Sequence, residues 1–196
     1  MKYPDEGYIK YNINWDKAPA YKNQHIDELV YWRDIVVKYG GIGYDNSMKV
    51  GVGNLSARFK TGFFISGSQT GHLQSSAKIF TNVTQCDLEK NALYCIGPVK
   101  ASSESMTHYA VYRGNHKVNG IIHIHHEKLW NKNLNILPTT NPKTQYGTVA
   151  MAKEVELYSK EGHKVIIMAG HKDGILFLGE DLESAGLAYL DLLKNF

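Results

Sequence analysis

Residues 118–126 read VNGIIHIHH, a run with no acidic or basic residue other than its histidines. Short, β-branched and apolar, it reads as a strand. Side chains two apart on a strand share a face, so His123 and His125 project together while Ile122 and Ile124 turn the other way, into a core. Around it, helical and strand patterns alternate. ESMTHYAVYR (104–113) is a helix with Ser102-Ser103 before it and an acidic residue in its first turn. Thr148 opens the helix VAMAKEVELYSKEG, closed by Gly162. KVIIMAG (164–170) and GILFLG (174–179) are strands about a turn, and Asp181 caps the last helix, LESAGLAYLDLLKN. Upstream, Asn23 caps QHIDELVYWRDIVVKY (24–39), whose apolar residues recur at helical spacing until Gly40-Gly41 stops it. The short runs MKVGV (48–52), LSARF (55–59), GFFIS (62–66), KIFTNV (78–83) and ALYCI (92–96) follow, separated by turn formers. Strands that come in clusters and also singly between helices predict an α/β chain whose sheet is covered by helices. Residues 1–24, polar and rich in Tyr, Lys and Asn, read as an irregular arm before one domain over 25–196.

The composition removes several function classes. With 43% apolar and 21% charged residues the chain is not a disordered one. No uncharged apolar run approaches the ~18–20 residues of a membrane span. MKYPDEGYIKYNINWD has no apolar core of a secretory signal, so a cytoplasmic location is expected. A net charge of +3 without a Lys/Arg cluster gives no reason to expect a nucleic-acid partner. Cys86 and Cys95 lack CxxC spacing and read as two reduced residues. Histidine is the residue type that stands out: there are nine, and His108, His116, His123, His125, His126, His163 and His171 all fall between 108 and 171.

Two imidazoles on one strand face make half of a zinc site, which needs at least three N, O or S ligands; the alternative is two histidines on a solvated face. His126 falls on the opposite face and is left out. His171, in the turn after VIIMAG, is the third candidate, since a buried strand's end can reach a neighbouring HxH. Glu104, at the start of the serine-capped helix, is the fourth group. It can ligate a metal or act as general acid/base, or simply favour the helix dipole. Ser102 and Ser103 with the first helical N–H groups form an anion site. GVGNLS (51–56) and ISGSQTG (65–71) are loops able to wrap a phosphate, or plain turns.

In this order, GNLSAR (53–58), ISGSQTG (65–71), SSESMTHYAVY (102–112), IIHIHHEKLW (121–130), YGT (146–148) and AGHKDGILFLGEDLESA (169–185) resemble the class II aldolase/adducin family, over roughly residues 25–193. The resemblance implies a three-layer α/β/α fold around a mostly antiparallel sheet. It implies a zinc ion, or another divalent metal, held by His123, His125 and His171. Glu104 would be the acid/base at that metal. A phosphate pocket would comprise Gly53, Asn54, Thr70, Gly71, Ser102 and Ser103. It further implies a homo-oligomer, a tetramer being favoured, with active sites at subunit interfaces. The implied activity is a zinc-dependent lyase that splits a small phosphorylated hydroxyketone, a sugar phosphate, by a retro-aldol route through a metal-stabilised enediolate. The alternatives are a dehydratase, epimerase or decarboxylase using the same metal site, or a non-catalytic adducin-like interaction module. Glu rather than Asp at 104 leans away from the epimerases, and the complete ligand set leans away from the module. The chain departs from the family's aldolases in being short between HxH and YGT, where they carry a catalytic tyrosine. It also ends soon after the last helix, and it places its third histidine in GHKDG.

Overall fold

The histidine strand lies inside the sheet. The computed structural model describes residues 7–196. Eight strands form the main sheet: β1 (Asn12–Lys17), β4 (Asn54–Phe59), β5 (Gly62–Ser66), β6 (Phe80–Asp87), β7 (Ala92–Gly97), β8 (Gly120–His125), β9 (Val165–Ile167) and β10 (Gly174–Gly179). Their order across it is β1-β7-β6-β5-β4-β8-β10-β9. A separate hairpin pairs β2 (Gly43–Asp45) with β3 (Val50–Val52). The helices are α1 (Gln24–Lys38), α2 (Ser105–Gly114), α3 (Glu127–Asn133), α4 (Val149–Lys160) and α5 (Leu182–Lys194).

The alternation read in IIHIHH distributes β8 between two apolar cores. Ile122 and Ile124 pack with Leu55, Phe64, Ile175 and Phe177 against α1 and α5. Ile121 packs with Leu176, Leu178 and Val83 against Met106 and Val111 of α2 and Met151 and Val155 of α4. β8 is hydrogen-bonded on both sides, antiparallel to β4 and to β10, so its register is fixed twice. The expected caps are present: Asn23 accepts from Ile26 N, Thr148 from Met151 N, and Asp181 forms a capping box with Ser184. Among the described residues, no helix is long and apolar enough to cross a membrane.

Three features differ from the sequence expectation. The sheet is mixed: β1 runs parallel to β7, whereas the other strand pairs in it are antiparallel. That parallel strand comes from the stretch read as an irregular arm. NINWDK does alternate, with Ile13 and Trp15 turned to a core and Asn12, Asn14 and Asp16 to solvent, but the run is short and polar. Trp15 Nε1 donates to Gly97 O (2.9 Å) and secures its end. The third difference is α3, a two-turn helix directly after β8, whose N-cap is His126: ring Nδ1 accepts from Leu129 N (3.2 Å).

Arg33 is an unexpected core residue. It is 1% exposed on the buried face of α1. Its guanidinium donates to Thr70 O (2.8 Å), Gly71 O (3.1 Å) and Ser75 Oγ (2.7 Å). Burial lowers its pKa, yet an arginine stays charged at neutral pH and these oxygens supply its partners. Arg33→Met should therefore cost roughly 2–4 kcal/mol, because it strands buried carbonyls that line the 67–75 loop. Urea unfolding measures this, and a midpoint equal to that of the parent protein would refute the role.

Candidate metal centre and active site

Strand register assembles the site at the C-terminal end of β8. His123 sits opposite Asn54 of β4 and Leu176 of β10, and His125 sits opposite Gly174. Gly53 precedes Asn54 with φ of 78°, and a Cβ there would lie 2.8 Å from Gly41 O, so only glycine lets β4 start at this point. His171 occupies the tight β9–β10 connection: its N–H donates to Met168 O and its carbonyl accepts from Gly174 N, both at 3.0 Å. Gly174 makes room for two imidazoles, since a Cβ would meet His123 Cε1 at 3.1 Å and His171 Cγ at 3.2 Å.

The three rings converge. One ring nitrogen from each of His123, His125 and His171 falls within 4.8 Å of the others, and among the described residues this is the one such group. His123 Nε2 and His125 Nε2 are 3.2 Å apart. Nitrogens each ~2.0–2.1 Å from a tetrahedral zinc stand about 3.3 Å apart, so the donor set fits a divalent ion. Burial holds His123 well below the usual imidazole range, and its neighbours His125 and His171 add to this. It is therefore neutral at physiological pH, as a ligand must be. His123 and His171 are buried and His125 is half-buried, which leaves one side of the cluster open to an incoming group.

Glu104 is 2% exposed and stands at the N-cap position of α2, one residue ahead of its expected place in the first turn. Ser102 builds the turn that holds it: Ser102 Oγ accepts from Glu104 N (3.2 Å), and Ser102 O accepts from Ser105 N (3.0 Å) and Ser105 Oγ (2.7 Å). The helix N-terminus favours a carboxylate there. Glu104 lines one small recess with His123, His125, Gly53, Asn54, Ser102 and Ser103. Thr70 and Gly71 lie outside that lining. The Thr70 hydroxyl donates to Gly67 O (2.8 Å), and both carbonyls face Arg33, so the two residues shape the loop behind the recess. Gly7, Gly67 and Gln69 line the recess instead, and no motif pointed to Gly7 or singled out Gln69. A larger surface hollow lies at the other end of β8 and β10, beside His116, Lys117 and His163, away from the converging imidazoles.

Two further side chains lie near the cluster. Tyr146, of the YGT motif, stacks on His171 with centroids 4.4 Å apart and planes at 21°. His108, one turn beyond Glu104, is fully buried, and its Nδ1 shares a 2.7 Å hydrogen bond with Ser56 Oγ, which also meets Tyr112 OH at 2.7 Å. Burial lowers the His108 pKa to about 3. Below pH ~6.5 the unfolded chain takes up a proton at this imidazole and the native chain does not, so stability falls as pH drops, until the native group also titrates near 3. Between pH 6.5 and 5 this group alone should remove about 1.6 kcal/mol. Urea titrations at the two pH values test it: His108→Gln should show the smaller pH dependence, and an equal one would remove His108 as the cause.

Residues 36–130 match the family described as Class II Aldolase and Adducin N-terminal domain, a span that includes the 53–71 loops, Ser102–Glu104 and the HxH strand, and stops before His171. No curated protein matches the sequence. The fold is similar to that of YgbL from Klebsiella pneumoniae, whose description spans aldolase, epimerase and decarboxylase (TM-score 0.65, 20% identity, 86% of this chain and 84% of that one). It is likewise similar to L-fuculose-1-phosphate aldolase from Thermus thermophilus (TM-score 0.63, 22% identity, 88% of this chain and 89% of that one). At such identities the likeness is one of fold. The matched segment carries the asparagine loop, the serine-glutamate turn and the histidine strand, so residues 36–130 form a domain of the class II aldolase and adducin type within that shared fold.

Proposed function

We propose that the protein is a metal-dependent lyase that cleaves a small phosphorylated hydroxyketone by a retro-aldol reaction. The observation that carries this reading is the convergence of three imidazoles beside a buried carboxylate at a helix N-terminus. His123, His125 and His171 would hold the ion; their neutral nitrogen donors suit zinc, with another divalent metal as the alternative. When bound, the ion supplies a Lewis acid that stabilises negative charge on the oxygens of an enediolate. Glu104 is the acid/base. In cleavage Glu104 takes the O–H proton from the hydroxyl-bearing carbon, which becomes an aldehyde, and this is the proton it then returns to carbon. The electron pair of the broken C–C bond stays with the carbonyl fragment, and Glu104 delivers a proton to the carbon left behind. Asn54, the Ser102 and Ser103 hydroxyls and the N–H groups around Gly53 would bind the phosphate, with the Thr70–Gly71 loop behind them. The protein would work in the cytoplasm as a homo-oligomer, a tetramer being favoured.

Likeness to YgbL supports a second reading, an epimerase or decarboxylase on the same metal site. Product analysis by NMR on a panel of ketose phosphates separates the two. Aldehyde release is expected. Stereochemical inversion or loss of carbon dioxide would favour the second reading, and no product from folded, metal-loaded protein would sink both.

A further inference from the structure

The N-terminal segment lies on the site rather than away from it. Tyr11 OH donates to Ser102 O (2.7 Å), at the turn that carries Glu104. Asn91 Nδ2 donates to Lys10 O (2.9 Å), and Asn12 N donates to Asn91 O (2.8 Å). Between these anchors, Lys10 reaches inward. Its Nζ stands 3.9 Å from the centroid of the Tyr146 ring and donates to Tyr146 O (3.2 Å). Tyr146 in turn is the ring stacked on His171. Gly147, at φ of 66°, turns the chain here: a Cβ on it would lie 3.6 Å from Lys10 Cδ and 3.9 Å from Glu104 Oε1, so lysine and carboxylate flank one glycine.

We propose that Lys10 is a positioning residue of the active site, which fixes Tyr146 against His171 and brings the N-terminal segment into the catalytic machinery. A cation over a tyrosine face that also bonds the same residue's carbonyl restrains both ring and backbone. A partner that orients a ligand imidazole influences both metal affinity and the geometry of reaction. The function of this contact rests on the metal-site reading above, whereas the contact itself does not need the metal.

The test uses Lys10→Met with Lys10→Arg as the charge-conserving rescue; the anchors at Tyr11 and Trp15 remain in both, and Lys10→Gln replaces the Met variant should that one fail to fold. Two-dimensional NMR of histidine-labelled, metal-free protein reads the ring proton of His171, which the stacked Tyr146 ring moves upfield. In Lys10→Met that signal should return toward the ordinary position, and in Lys10→Arg it should keep most of its displacement. Affinity for zinc should fall about tenfold in Lys10→Met, with kcat falling about tenfold or more and KM changing little. An unmoved His171 signal in Lys10→Met would overturn the proposal. A parent protein that takes up no divalent metal would overturn the metal-site reading instead, and the ring signal would still decide the role of Lys10.

Discussion

Glu104→Gln should leave a folded protein that still takes up metal but turns substrate over about 10²–10⁴ times more slowly. The amide has nearly the shape of the carboxylate, so the Ser102 turn, built from backbone and serine contacts, remains. What is lost is the ability to exchange a proton with a carbon of the substrate. Metal uptake should persist because three imidazoles remain within 4.8 Å of one another. Steady-state kinetics together with metal analysis of the same sample make the check. Loss of metal along with activity would show that Glu104 is chiefly a ligand, and undiminished turnover would remove it from the mechanism.

His125→Ala should lower metal affinity by on the order of a hundredfold or more, since structural zinc sites hold their ion by about 10–16 kcal/mol shared among their ligands. His125 is the right ligand to remove because it is half-buried, whereas truncating His123 or His171 would also open a cavity in the interior. His126→Ala is the control. That neighbouring ring caps α3 and packs against Phe196, on the side of the strand away from the cluster. It should lose some stability and no metal. Isothermal titration with zinc reads both variants, and equal affinity in the two would mean that the strand face has been misread.

Much of this site was legible in the sequence because its parts are local. His123 and His125 need only the two-residue period of a strand, and Ile122 and Ile124 bury themselves as that period requires. The capping residues Asn23, Thr148 and Asp181 work through bonds to residues three ahead, which a reader of the sequence can count. Glu104 stands one position from where the local pattern puts it, because Ser102 caps a turn rather than the helix itself. The residues that went unread act across long separations. Lys10 meets Tyr146 from 136 residues away, and Arg33 reaches the carbonyl of Thr70 from 37 away. Neither belongs to a pattern, and a lysine in a polar arm or an arginine in a helix ordinarily faces solvent. β1 was missed because alternation over six residues, with only Ile13 and Trp15 apolar, is too short to stand apart from a loop.

Everything in the proposed chemistry depends on one divalent ion sitting among His123, His125 and His171 with Glu104 beside it. Anomalous diffraction at the zinc edge, from crystals of the parent protein grown with zinc and without chelator, tests this most directly. One strong peak is expected, at about 2.1 Å from a ring nitrogen of each histidine. An empty cluster, or a zinc peak bound elsewhere on the chain, would contradict it.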